Sequence, residues 1–285
     1  MKKALVVGFL AVFLFIGCES KPEEVKIAVN EWIGYAPLFY ANEKGWLKDD
    51  NIRLIRTVSL GESVRLYESG FVNSLAATQY EYSKLKNSVY PVILLDRSYG
   101  GDMILSNKSL YDIKKAKEVL VYLEIDSVNY LLLKTFAKKY HISFSKFKII
   151  NDDQQQITKE KFDLKKPILI VTYAPYDVFF YKRGFHIISS TKDDYLLVID
   201  AVFASKTLKK RRFKKFKFYV DKAIEAIKKN PKKVYETIKN YYPSYTFKEF
   251  LSGLNNIEWI NNPSTHLIYL LKKSKFPTQG LIGEN

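Results

Sequence analysis

Acidic and aromatic residues recur in this sequence where a predicted strand gives way to a predicted helix. Trp32 and Tyr35 follow the first strand, Ser59 follows the second, and Thr78 and Tyr80 follow the third. Asp96, Ser98, Gly101 and Asp102 follow the fourth, Glu124 follows a strand in the next region, and Tyr173 ends another. In layered α/β proteins such turns line the crevice in which ligands bind. Each residue alone reads as structural, since an aspartate can cap a turn and a tryptophan can fill a core. Together they are what a small-molecule pocket needs, with aromatic walls and a few converging polar groups.

The same residues do not form a catalytic set. There is no phosphate-binding loop, no Gly-x-Ser-x-Gly elbow and no His-Glu-x-x-His. His141, His186 and His266 stand far apart, and Cys18 is the only cysteine. Neither a metal nor another cofactor is expected, and no internal disulfide can form. Acid pairs such as Asp152-Asp153 fall in polar turns and read as solvated. The chain is expected to bind rather than to catalyse.

The elements that must position these residues are legible from periodicity. Val25 to Val29 alternates as a strand, and Pro37 suits the start of a helix that ends near Gly45. Ile52 to Arg56 is the next strand. Ser59 with Glu62 three residues on is a capping box for a helix that stops at Gly70. Val72 to Ala77, Val92 to Leu95 and Met103 to Leu105 read as strands. Val119 to Leu123 follows, then a helix capped by Asp126 or Ser127. Phe147 to Ile150, Ile168 to Thr172 and Leu196 to Ala204 are further strands, with a short helix near Tyr176 to Tyr181. From 206 onward the pattern is helical. Strands alternating with helices imply α/β layers with mostly parallel sheets.

The first residues have a different character. Lys2 and Lys3 precede an apolar run from Ala4 to Gly17, shorter than the ~20 residues that span a bilayer as a helix. A basic start, a short apolar core and small residues before Cys18 mark a secretory signal. Leu14-Phe15-Ile16-Gly17-Cys18 resembles the lipobox of bacterial lipoproteins. Residues 1–17 are expected to be removed, Cys18 to carry lipid on the outer side of a bacterial membrane, and 18–24 to act as a tether. The formal charge is +16, with +11 of it in residues 206–239. Phe213, Phe216, Val220, Ile224 and Ile227 recur there at helical spacing, which predicts amphipathic helices with a basic outer face. Export argues against nucleic acid as a partner. The basic face reads as a solvated one, with anionic lipid headgroups as the alternative.

Four segments give the body a family likeness. Trp32-Ile33-Gly34-Tyr35-Ala36-Pro37-Leu38 leads into a helix with Lys44-Gly45. Asp96-Arg97-Ser98-Tyr99-Gly100-Gly101-Asp102 comes second. Glu124 with Asn129-Tyr130-Leu131-Leu132 is the third, and Val171-Thr172-Tyr173-Ala174-Pro175-Tyr176 with Ile199-Asp200-Ala201-Val202 is the fourth. Over about residues 25–240 the chain resembles the substrate-binding proteins of nitrate/sulfonate/taurine-type ABC importers, which share a fold with the binding proteins for the pyrimidine precursor of thiamine. Ala174 departs from the glutamate common there in one branch. The resemblance implies a type II periplasmic-binding-protein fold. Residues 25–103 with 200–285 would form one lobe and 104–199 the other, joined by two crossing strands. It also adds Asp200 to the cleft.

The expected partners are a small ligand held between the lobes and an ABC permease, with the chain itself a monomer. A membrane sensor receptor in place of the permease is the alternative, and an enzyme of the menaquinone-pathway type with the same fold is a more distant one. Among the turn residues only Arg97 is basic. A bare anion such as nitrate favours Arg, Ser, Thr and backbone N–H donors. Acidic and aromatic groups favour an amine or a ring bearing N–H donors.

Overall fold

The computed structural model describes residues 23–193, 196–243, 245–261, 264–274 and 276. The signal segment and Cys18 lie outside the described residues. The described strands are β1 (Val25–Val29), β2 (Ile52–Arg56), β3 (Ser74–Thr78), β4 (Val89–Ser98), β5 (Asp102–Ser106), β6 (Val119–Leu123), β7 (Phe147–Asn151), β8 (Ile168–Tyr173), β9 (His186–Ser190), β10 (Ile199–Ser205) and β11 (Ile257–Trp259). They form two sheets, one ordered β11-β4-β10-β3-β1-β2 and the other β7-β6-β8-β5-β9. Each sheet with its flanking helices makes a lobe.

The sheets are mixed, not mostly parallel as the alternation of strands and helices suggests. β1 is parallel to β2 and β3, but β10 runs antiparallel to both β3 and β4. In the second sheet β6 is parallel to β7 and β8, whereas β5 is antiparallel to β8 and β9. The reason is the path of the chain. Parallel pairs come from strand–helix–strand crossovers within a lobe. β5 enters the second sheet from the other lobe, and β10 returns to the first, so these strands escape that constraint. β5 begins at Asp102 and β10 at Ile199, which places the passages between lobes just before these residues. β9 and β11 carry no strong apolar pattern in the sequence: the first two residues of β9 are exposed, and β11 has only three residues.

The helices bearing on the cleft are α1 (Ala36–Glu43), α2 (Leu60–Glu68) and α3 (Gln79–Leu85) of the first lobe. The second lobe has α5 (Val128–Lys139), α6 (Gln154–Ile157) and α7 (Asp177–Tyr181), and also α4 (Leu110–Lys115), which follows the far end of β5. α1 starts with proline in its first turn, where a missing N–H costs nothing, and is buried from Ala36 to Ala41. Ser59, Thr78 and Ser127 each cap a following helix, accepting from Glu62 N, Tyr80 N and Asn129 N. α8 (Lys214–Lys229) buries Phe216, Val220, Ala223, Ile224 and Ile227 and turns its lysines outward. Its inner face lies on α1, with Trp46 stacked on Tyr219 at 5.8 Å and Lys222 over the same indole at 4.4 Å. α9 (Pro231–Ile238), α10 (Phe247–Leu254) and α11 (Thr265–Lys273) complete the first lobe.

One apolar cluster runs from Val25, Phe39 and Phe216 in the first lobe through Trp32, Tyr173 and Tyr176 to Ile170 and Phe180 in the second. The two lobes thus meet through aromatic rings. Phe216 is fully buried and Phe218 is 61% exposed. Phe216→Ala should lower stability by about 3–5 kcal/mol, seen as a drop in the urea midpoint, while Phe218→Ala should leave the midpoint nearly unchanged.

Candidate functional site

The register of the strands assembles the site. Asp200 on β10 lies opposite Thr78 on β3 and opposite Asp96 on β4. This puts one hydroxyl and two carboxyls in a row across three adjacent strands, on one face of the sheet. In the other sheet Asp102 at the start of β5 lies opposite Tyr173 at the end of β8. The two rows face each other between the lobes.

Hydrogen bonds fix the aromatic residues to the acids. Tyr35 O–H donates to Asp200 Oδ1 at 2.6 Å, and Trp32 Nε1–H donates to Asp96 Oδ1 at 3.2 Å. Tyr173 O–H donates to Glu124 Oε1 at 3.3 Å and accepts from Asn30 Nδ2 of the opposite lobe, also at 3.3 Å. Trp32 and Tyr173 meet edge to face at 6.0 Å. Gly34 and Gly101 are needed for their lack of a side chain. A Cβ on Gly34 would strike the Asp96 carboxyl and the Trp32 indole, and one on Gly101 would strike the Trp32 ring.

Two chambers result. The inner one is lined by Trp32, Tyr35, Thr78, Asp102, Tyr173 and Asp200, with Asn30, Leu60 and Val128 closing it. Its cavity is about 10 Å³, room for about one water. The outer one, about 230 Å³, is lined by Ser59, Arg65, Glu124 and Asp126 among others. Several residues singled out by sequence do not line either chamber. Asp96 lies beneath Trp32, Ser98 bonds Thr191 and the Asp102 N–H, and Tyr80 packs outside under Lys84. Arg97 turns away to Glu258 at 3.4 Å. Asn30 and Gln154 carry no motif signal, yet both are buried. Gln154 accepts from Thr172 O–H at 2.7 Å and donates to the Val171 carbonyl at 3.1 Å. Only their position beside charged neighbours gives them a part.

Asp96, Asp102, Glu124, Asp200 and Glu81 are all buried, and no Lys, Arg or His lines the inner chamber. Burial is the main force on each of them, because it disfavours the charged form. It raises Asp102 to about 7 and Glu124 to about 8. Asp96 and Asp200 lie well above the carboxylate range, through burial first and then, for Asp200, its neighbour Asp96. Glu81 is raised for the same first reason.

Helix N-termini at the cleft would ordinarily attract an anionic ligand. Here the chain supplies its own anions to them. Glu62 Oε2 accepts from Val58 N at 2.6 Å at the start of α2. Glu81 Oε2 accepts from Thr78 N at 3.0 Å at the start of α3. Glu124 Oε1 accepts from Gln154 N at 3.2 Å at the start of α6.

Solved structures with this architecture include the alkanesulfonate-binding protein SsuA of Xanthomonas axonopodis pv. citri, bound to MOPS. The TM-score is 0.70 at 10% identity, covering 92% of this chain and 97% of that one. This is the periplasmic-binding-protein fold. The periplasmic aliphatic sulphonate binding protein SsuA of Escherichia coli matches with a TM-score of 0.69 at 10% identity, over 91% and 90% of the two chains. A zinc-bound ligand-binding component of an ABC-type import system from Staphylococcus aureus gives 0.67 at 14% identity, over 92% and 96%. No protein-family model and no curated protein matches the sequence itself. Among the described residues of this periplasmic-binding-protein fold no group of three or more His, Cys, Asp or Glu could hold a metal ion. No helix among them is long and apolar enough to cross a membrane.

The raised carboxyls make stability depend on pH in a definite direction. An acid whose folded pKa exceeds its unfolded value of about 4 holds its proton longer in the folded state. Its contribution is present below that unfolded value and is lost as pH rises through the folded one. For Asp102 and Glu124 that window closes at about 7 and about 8. The melting temperature of the ligand-free protein should therefore fall between about pH 5 and pH 8. Asp102→Asn should flatten the fall and stabilise the protein at the upper end, by up to roughly 4 kcal/mol.

Proposed function

We propose that this chain is an extracytoplasmic solute-binding lipoprotein that closes two lobes around a small nitrogenous organic cation and delivers it to an ABC permease. The carrying observation is the sign of the inner chamber. Asp102 and Asp200 line it with tyrosine and tryptophan, Asp96 lies just beneath, and no cationic side chain offsets them. A buried carboxylate is costly unless a positive partner reaches it. A protonated amine or an amino-heterocycle brings that charge together with N–H donors, and the rings of Trp32, Tyr35 and Tyr173 line the same chamber. An anion would meet carboxyl oxygens and helix ends already occupied by Glu62, Glu81 and Glu124.

Both lobes contribute to the chamber, which is the condition for ligand-driven closure. Asn30, Tyr35, Thr78 and Asp200 come from the first lobe, Asp102 and Tyr173 from the second. Few polar contacts otherwise hold the lobes together. Arg65 pairs with Asp126 at 3.6 Å, Lys182 with Glu249 at 3.5 Å, and Tyr176 O–H donates to Glu31 at 3.2 Å. The two ion pairs have an exposed partner and contribute about 0–1 kcal/mol each. Ligand contacts would therefore decide between open and closed lobes. The sulfonate-binding structures share the fold and not this lining argument, so the ligand class rests on this chain's own residues. Lipid on Cys18 would keep the binder beside its membrane partner.

Titration calorimetry of the purified mature protein should show binding of small amines or aminopyrimidines and none of nitrate or taurine. Affinity should rise between about pH 6 and pH 8 and then level, because Asp102 must ionise to pair with the cation. Asp200→Asn should weaken binding roughly 10- to 100-fold. Tight nitrate or sulfonate binding with no response to amines would overturn the reading. Cys18→Ser should release the protein from the membrane fraction into the soluble one; unchanged membrane retention would refute anchoring.

A further inference from the structure

The outer chamber carries a second acidic position, separated from the first by the side chain of one tyrosine. Glu124 lines it and is 5% exposed. Its Oε1 is used, accepting from Gln154 N and Tyr173 O–H. Its Oε2 is buried with no hydrogen-bond partner among the described residues. Since a bare buried charge is expensive, a carboxyl oxygen left so holds a proton or takes a cation. The surroundings supply nothing of the kind. Arg65 is the one cation lining this chamber among the described residues, and it is already paired with Asp126. Asp152 and Asp153 add further negative charge, although each also holds a backbone N–H, of Asp153 and Gln156.

The two chambers share no lining residue, but their walls adjoin on both lobes. On the first lobe Leu60 belongs to the inner chamber and its neighbours Ser59 and Gly61 to the outer. On the second, Tyr173 belongs to the inner chamber and bonds Glu124 of the outer. Resting on the reading that the cleft takes a nitrogenous cation, we propose that its ligand is elongated and carries two positive nitrogen centres. One centre sits against Asp102 and Asp200, where the lobes must part to widen a cavity of about 10 Å³, and the other reaches Glu124 past the edge of Tyr173. The aliphatic or aromatic spacer lies between Leu60, Val128 and the Tyr173 ring.

The test compares straight-chain diamines with monoamines of equal length. Calorimetry of the mature protein with diaminopropane, diaminobutane and diaminopentane should show one diamine binding at least about ten-fold tighter than the matching butylamine or pentylamine, as a second charge-assisted contact provides. Glu124→Gln should erase that preference, so that this variant binds the diamine no more tightly than the matching monoamine. Tyr173→Phe, which frees Glu124 from its hydroxyl partner, should keep the preference. Thermal melting of each variant checks that it folds. Equal affinity for diamines and monoamines overturns the two-centre ligand and leaves the single-cation reading standing. Loss of both amines in Glu124→Gln and equally in Tyr173→Phe also overturns it, since Glu124 would then act only by positioning Tyr173. Binding of nitrate or ethanesulfonate with no amine response overturns both readings together.

Discussion

Asp200 stands between Thr78 and Asp96 on adjacent strands. Two carboxyls directly opposite each other repel when both are charged, and both are buried. The rest of the site answers to that conflict. Trp32 and Tyr35 donate to one carboxyl each, Gly34 makes room for the Asp96 carboxyl, and Gly101 makes room for the Trp32 ring. These donors satisfy an oxygen on each acid without neutralising it. The cluster is left to hold protons or to take a cation. A fold selected for stability alone would not place a pair of aspartates there; apolar residues of similar volume are generally as stable or more so.

On the proposed reading, the same acids would couple binding to closure. Asp102 and Tyr173 face Asp200 and Thr78 only when the lobes are together, because the two rows belong to different sheets. Separated lobes would expose these carboxyls to water, where they ionise at ordinary pH. Closure without a cation forces desolvation of charge, whereas closure around one exchanges water for a paired charge. The Leu133 and Phe136 packing of the second lobe is a separate apolar cluster, whereas Phe39 and Phe216 of the first belong to the cluster that also holds Trp32, Tyr35 and Tyr173.

Much of this was legible in the residues alone. The alternation of strand and helix, the proline start of α1 and the Ser59 and Thr78 turns follow from local rules, since caps, periods and glycine stops act within a few residues. Five of the singled-out turn residues line the inner chamber, together with Asp200, which the family resemblance added, and Ser59 and Glu124 line the outer. Asp96, Ser98 and Gly101 support it from behind, and Tyr80 points elsewhere. A turn position tells which end of a sheet a residue occupies. It does not tell which side of the turn faces the partner lobe.

The sequence by itself determined the order of the elements apart from β9 and β11, the α/β class and the acidic, aromatic character of the candidate cleft. Those depend on local propensity, hydrophobic period and composition. Tertiary structure alone decided that the sheets are mixed, that Asp200 pairs with Asp96 and Thr78, and that Asn30 and Gln154 join the site. It also decided that Glu124 keeps one buried oxygen without a partner. Each of these depends on strand register or on contacts between residues far apart in the chain, such as Asn30 and Tyr173. A one-residue slip in register would send Asp200 to the other face of its sheet, and no local pattern records which register is made.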